Sequence, residues 1–228
     1  MARHLDLEEQ EQLAELKHFW NQWGNLITWV LILVFGSIAA WNGWNYWQRE
    51  QAIKASVLYD EVDKAAQAGD ADMAQRAFED AKERYPRTAY AAQAGLLAAK
   101  VLADKGKADA ARAALSWVSE NASEAEYSAI ARLRLAGLLL DQKAYDEALK
   151  LLSAGMPKEF EALAADRRGD IYMAQGKKAE AQAEYEKAYK GLPATVDYRL
   201  LVEAKLTALG AAPATEAVSS AVSSAEQQ

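Results

Sequence analysis

Between Lys17 and Arg49 the chain carries no Lys, Arg, Asp or Glu, and the centre of that stretch, residues 26–40 (LITWVLILVFGSIAA), is almost wholly apolar. As a helix, residues 24–47 would be about 36 Å long, enough to cross a hydrocarbon core of roughly 30 Å with some tilt. Six of the seven tryptophans serve this stretch, with Trp20, Trp23 and Trp29 toward one end and Trp41, Trp44 and Trp47 toward the other. Amphipathic rings collect at the two headgroup regions of a bilayer, whereas a buried helix of a soluble bundle has no reason to carry them at both ends. The pattern predicts a transmembrane helix over residues 23–47, preceded by an acidic tail over residues 1–22.

A cleaved signal peptide is the rival reading, because Ser37-Ile38-Ala39 could pass for a cleavage site. Its leader has the wrong sign: Asp6, Glu8, Glu9, Glu11 and Glu15 stand against Arg3 and Lys17, and apolar character continues to Trp47. Orientation is not fixed by charge, since Arg3 and Lys17 on one flank face Arg49, Lys54 and Lys64 on the other. Gly36, Ala40 and Gly43 fall on one helical face, a geometry that permits close packing against another membrane helix; a plain lipid-facing span carries such residues too.

Beyond residue 47 the chain is rich in Ala and Leu and poor in β-branched runs, which argues for an all-α fold. A repeat is present. Gly169, Tyr172, Gly176, Ala181, Tyr185, Ala188 and Pro193 stand at the spacings of small, aromatic, turn, small, aromatic, small and terminal-proline positions in a tetratricopeptide unit of about 34 residues. Small residues let two antiparallel helices approach, aromatics fill the wedge between them, glycine turns the chain and proline stops the second helix. Upstream the same frame catches Gly69, Ala74, Phe78, Ala81 and Pro86, then Ala99, Leu102, Gly106, Ala111 and Leu115, then Ala136, Leu139, Ala148 and Leu152.

Four helical hairpins with turns at Gly69, Gly106, Lys143 and Gly176 are therefore expected over residues 48–210. A final apolar helix near residues 196–209 would cover the last open face. A plain helical bundle is the competing arrangement. Residues 211–228, rich in Ala and Ser, have too little bulk to fold alone and are expected to be disordered.

The net charge of −7 is spread without a basic block, which argues against nucleic acid. There is no cysteine, and both histidines, His4 and His18, precede the apolar stretch. The repeat region thus lacks the usual nucleophile, base and soft metal ligands, and no phosphate loop, GxSxG or HExxH motif is present. No cofactor, metal, small-molecule substrate or catalysis is expected. The carboxylate pairs Glu184/Glu186 and Asp166/Asp170 are expected to face water.

If the first helix of each hairpin lines a groove, its residues are Tyr59, Asp63, Leu96, Lys100, Leu133, Gly137, Asp166, Asp170 and Met173. An apolar centre at Leu96 and Leu133 flanked by Asp166 and Asp170 suits a peptide of apolar and basic character. Burial of those leucines by the next repeat is the alternative. A clamp for a terminal carboxylate would need Lys and Asn at these positions and is not expected.

The arrangement resembles the tetratricopeptide-like ancillary subunit family of the bacterial Sec translocon. The similarity rests on Leu16-Lys17-His18-Phe19-Trp20, on the exit Gly43-Trp44-Asn45-Tyr46-Trp47-Gln48, and on Ala164-Ala165-Asp166-Arg167-Arg168-Gly169-Asp170 leading into the last hairpin. The resemblance implies an inner-membrane protein with a cytoplasmic N terminus and a periplasmic repeat domain. It also implies Sec translocon subunits, a membrane-bound foldase and translocated proteins as partners, with delivery to periplasmic chaperones. A tethered chaperone or an envelope-stress scaffold acting apart from the translocon is the alternative function.

Overall fold

A computed structural model describes residues 7–153 and 155–212 of the chain. The expected disordered tail lies, from Pro213 onward, outside the described residues. Nine α-helices and one short 3-10 turn make up the described residues, without a strand among them. The chain divides into two compact units, Met1–Gln51 and Ala52–Gln228.

Helix α1 (Leu7–Ala68, 62 residues) supplies the described part of the first unit and continues into the second without a break at the expected border after Trp47. Within it lies a stretch long and apolar enough to cross a membrane. Its large apolar side chains, among them Leu33, Phe35 and Ile38, are exposed in the isolated chain. A continuous helix is the form such a stretch must take in lipid, because every interior N–H and C=O is satisfied within the segment.

The second unit begins at the C-terminal turns of α1 and continues through α2 (Ala71–Arg84), α3 (Ala89–Asp104), α4 (Ala108–Asn121), α5 (Ala125–Asp141), α6 (Tyr145–Ser153), α7 (Glu161–Ala174), α8 (Lys178–Gly191) and α9 (Tyr198–Ala208). The hairpin turns fall at the four expected positions. Gly69, Gly106 and Gly176 have φ of 65°, 75° and 77°, and Lys143 adopts 60°. Each turn closes in the same way: Gly176 N–H donates to Met173 O (3.0 Å) and Lys177 N–H reaches back to Tyr172 O (2.9 Å), a pattern repeated at Gly69, Gly106 and Lys143. These bonds satisfy carbonyls that the end of a helix would otherwise leave unpaired. Side-chain caps start two helices, with Asp70 accepting from Met73 N–H (2.9 Å) and Thr88 from Ala91 N–H (3.2 Å).

Burial follows the repeat frame. Val62, Ala65, Ala74, Phe78 and Ala81 of the first hairpin are buried, as are Ala99, Leu102, Ala111, Leu115 and Val118 of the second and Ala136, Leu139, Ala148 and Leu152 of the third. First helices of successive hairpins touch one another, α3 against α5 and α5 against α7, and this is what makes the hairpins a stack. Tyr59 of α1 and Tyr90 of α3 continue that contact, with ring centroids 6.1 Å apart. One core cluster runs from Val62 to Ile171, and a second joins Ala165, Ala181, Tyr185 and Ala188 to Val202 and Leu206 of α9.

The third hairpin departs from the others. Helix α6 has nine residues where α2, α4 and α8 have 14 each, and it gives way to Gly155 (φ 55°), Pro157 and the 3-10 turn Lys158–Phe160. Proline lacks the N–H that another turn of helix would need and biases Met156 away from helical backbone.

Two glycines sit where helices come closest. A Cβ on Gly169 would lie 2.5 Å from the Tyr185 ring, and one on Gly95 would lie 2.5 Å from Val118 Cγ2 and 2.7 Å from Phe78. A Cβ on Gly137 meets nothing within 4 Å. Gly169→Ala is expected to lower stability by about 1–3 kcal/mol through overpacking, and Gly137→Ala to raise it by roughly 0.5–1 kcal/mol through helix propensity. Urea denaturation of the two variants checks both signs, and a Gly169→Ala variant as stable as the parent would mean that Tyr185 does not wedge the last hairpin.

Candidate protein-interaction site

Helices α3, α4, α5 and α7 line a groove of about 430 Å³. Its apolar wall comes from Ala99, Ala103, Leu115, Leu133 and Leu138, and its polar rim from Lys100, Asp104, Arg134, Asp141 and Arg167. Of the residues expected to form a binding face, Lys100, Leu133 and Gly137 come together here. Lys100 is exposed and pairs with Asp104 one turn on (3.2 Å), a solvated pair that contributes little stability. Arg134 donates from Nη1 to Leu96 O (3.1 Å), and Arg167 pairs with Asp170 (3.5 Å). The three cations outnumber the two carboxylates on the rim, so the groove lacks the acidic flanks expected of it.

The remaining expected residues lie outside this groove. Tyr59 stacks on Tyr90, Asp63 accepts from Gln67 Nε2 (2.7 Å), and Met173 is exposed on α7. Leu96 is 7% exposed and Asp166 1% exposed, so neither is offered to a partner; this corrects their assignment to the binding face. Leu96 is taken up by packing between hairpins. Of the rim residues that the repeat frame missed, Asp104 and Asp141 stand one helical turn beyond Lys100 and Gly137, a spacing that could have found them, while Arg134 and Arg167 carry no such signal.

Asp166 and Asp170 serve α9 instead. Lys205 of α9 donates to Asp166 Oδ1 (2.8 Å) and Oδ2 (2.9 Å) and to Asp170 Oδ1 (2.7 Å). Tyr198 O–H donates to Asp166 Oδ2 (2.6 Å) and Tyr185 O–H to Asp170 Oδ1 (2.8 Å). Burial, and then hydrogen bonding to a carboxylate, push both phenols well above their ordinary value, so they remain neutral donors. A buried carboxylate is tolerated only when paired and hydrogen-bonded, and here one lysine and two phenols meet that condition.

Glu184, also expected to face water, is buried beside Arg168. Arg168 Nε donates to Glu184 Oε2 (2.7 Å), Nη2 to Glu161 Oε1 (2.7 Å) and Nη1 to Leu152 O (3.2 Å), tying the end of the short α6 to α7 and α8. Burial alone would raise the Glu184 carboxyl, but hydrogen bonds from Lys187 and Arg168 outweigh it and hold the carboxyl below its ordinary value. On α1, a Cβ at Gly36 or Gly43 would meet nothing within 4 Å, and Ala40 is exposed, so the small-residue face of the apolar stretch is unobstructed.

Stacked helical hairpins joined to a helix able to cross a membrane define a tetratricopeptide-like scaffold with a hydrophobic anchor. The tetratricopeptide repeat-like domain family model matches residues 17–211, spanning both parts. The chain is 33% identical over 213 residues to the ancillary SecYEG translocon subunit of Neisseria gonorrhoeae, covering 92% of this chain and 100% of that one. It is 30% identical over 183 residues to the protein of the same name in Haemophilus influenzae, covering 80% of this chain and 89% of that one. The Escherichia coli protein of that name is 30% identical over 182 residues, covering 80% and 87%. The chain belongs to the family of ancillary SecYEG translocon subunits.

Lys205→Ala leaves Asp166 buried without its cation and is expected to cost about 3–5 kcal/mol. Chemical denaturation with fluorescence of Trp117 reads the loss, and a cost below about 1 kcal/mol would show the pair to be screened. The lowered Glu184 carboxyl contributes stability that is present above its ordinary value near 4.5 and lost as pH falls through the depressed folded value. Glu184→Gln is therefore expected to flatten the acid side of the stability profile; an unchanged slope below pH 4.5 would show that other carboxylates govern acid unfolding.

Proposed function

We propose that this chain is a non-catalytic, membrane-anchored interaction subunit of the Sec translocon in the bacterial inner membrane. Residues 1–22 lie in the cytoplasm, residues 23–47 span the bilayer and residues 48–210 form a periplasmic domain that links translocated proteins to chaperones or a membrane-bound foldase. The observation that carries this reading is likeness to a protein named for the translocon over 92% of this chain and the whole of that relative, so that anchor and repeats match together. An anchor keeps the repeat surface within reach of a membrane-embedded channel, and the small-residue face of Gly36, Ala40 and Gly43 permits close approach to another membrane helix.

The groove between α3, α5 and α7 supports a binding role and refines its chemistry. Its apolar wall and mixed rim suit an extended or helical segment with apolar side chains and no strong net charge. Lys100, Leu133 and Gly137 form the contact there, with Tyr59, Asp63 and Met173 as further points on the first helices of the hairpins.

Mild detergent extraction and pull-down through this chain is expected to recover the translocon subunits. Recovery of the chain alone, from membranes in which the translocon stays assembled, would overturn the proposal. Leu133→Asp is expected to reduce capture of translocated clients by about tenfold while translocon recovery persists.

A further inference from the structure

The groove lined by α3, α4, α5 and α7 carries opposite charge at its two ends. Helices α3 and α5 finish at Asp104 and Asp141, both on the rim, just before the turns at Gly106 and Lys143. Neither helix has a basic residue in its last turn, so the negative end of each backbone dipole adds to the carboxylates instead of being offset. The lysines that follow do not line the groove: Lys105 reaches Gly69, Lys107 pairs with Asp72, and Lys143 forms the turn itself. Two turns back along α5 stands Arg134, and Arg167 of α7 holds the same place relative to Gly176 that Arg134 holds relative to Lys143.

These charges are available. Asp104 is shared with Lys100, but Asp141 has no hydrogen-bond or ion-pair partner among the described residues. Arg134 places Nη1 on Leu96 O (3.1 Å), and its remaining N–H groups have no partner among the described residues. Arg134, Gly137 and Asp141 share one face of α5, at i, i+3 and i+7. The rise from Arg134 to Asp141 is about 10.5 Å, and the arginine leans further back toward the start of its helix to meet Leu96. Between the two charges a Cβ on Gly137 would meet nothing within 4 Å, so the wall is open there beside Ala99, Ala103 and Leu133. An extended chain advances about 3.3 Å per residue and returns to one face at every second residue, so its positions i, i+2 and i+4 cover roughly 13 Å. That span matches the order of charge, space and charge along α5.

We propose that the groove takes an extended segment of a translocated protein in which a basic, an apolar and an acidic residue stand at i, i+2 and i+4. The basic side chain meets Asp141 and the carbonyl ends of α3 and α5, the apolar one fills the space over Gly137, and the acidic one meets Arg134 and Arg167. This rests on the reading of the groove as the contact site for translocated proteins, and adds the charge order a segment needs to fit it.

Three labelled peptides, centred on Lys-Ser-Leu-Ser-Glu, Lys-Ser-Leu-Ser-Lys or Glu-Ser-Leu-Ser-Glu, test this by fluorescence anisotropy with the full chain in detergent at about 0.15 M salt. The dipolar peptide is expected to bind about fivefold tighter than either of the others; a net charge of −7 by itself would favour the peptide with two lysines. Asp141→Lys is expected to transfer the preference to the peptide with two glutamates, and Gly137→Leu, which fills the open space, to weaken all three by about tenfold. Equal binding of the three, preference for two lysines, or an Asp141→Lys variant with the parent's preference overturns the charge order, and does so without touching the groove itself if Leu133→Asp still removes binding. Binding that survives both Leu133→Asp and Gly137→Leu, or no binding of any peptide, overturns the groove as well. Recovery of the translocon by pull-down reads the wider role independently of these outcomes.

Discussion

Everything in the repeat domain depends on how closely two helices can approach, and that distance is set by side chains of one carbon or none. Ala74, Ala111, Ala148 and Ala181 occupy one position in the four second helices, and each is fully buried. Interhelical distance follows from the side chains at the contact, so alanine at this point fixes the spacing of every hairpin. Gly169 carries the principle to its limit, since the Tyr185 ring occupies the space its Cβ would need. The core is made of many small contacts, and its shape leaves a groove between first helices where larger residues would have filled it.

The buried ions follow from the same geometry. A stack of hairpins needs an ending, and here the ending is fastened by charge: Lys205 binds two carboxylates of α7, and two neutral tyrosines complete their hydrogen bonding. The second network, around Arg168, occupies the place where α6 stops short, and its donors satisfy the Leu152 carbonyl left at that helix end. Each network buries one acidic residue, Asp166 in the first and Glu184 in the second. The groove, whose rim carries Lys100, Arg134 and Arg167 against Asp104 and Asp141, is less acidic than a net charge of −7 would suggest.

Anchor and scaffold are different solutions to the same requirement that backbone polar groups be paired. The apolar stretch of α1 pairs them within itself and leaves its large apolar side chains exposed, while the later helices bury their apolar faces against each other. Family membership spans both parts, and the proposed role at the translocon needs both: a helix that remains in the bilayer and a surface that remains outside it.

The sequence by itself determined the all-helical class, the long apolar helix and the four turns, because these depend on local signals: an uncharged run, a period of small residues, and glycine where backbone must take positive φ. Even Lys143, which has no conformational licence to turn, was legible from its place in the repeat. Tertiary structure alone decided what the carboxylates do. Asp166 and Glu184 carry the local pattern of solvated helix residues, and their partners Lys205, Tyr198 and Arg168 stand on other helices, up to 39 residues away. Helical periodicity tells which face a residue is on; it does not tell which helix arrives to cover that face, and a charge is buried or exposed according to the second fact.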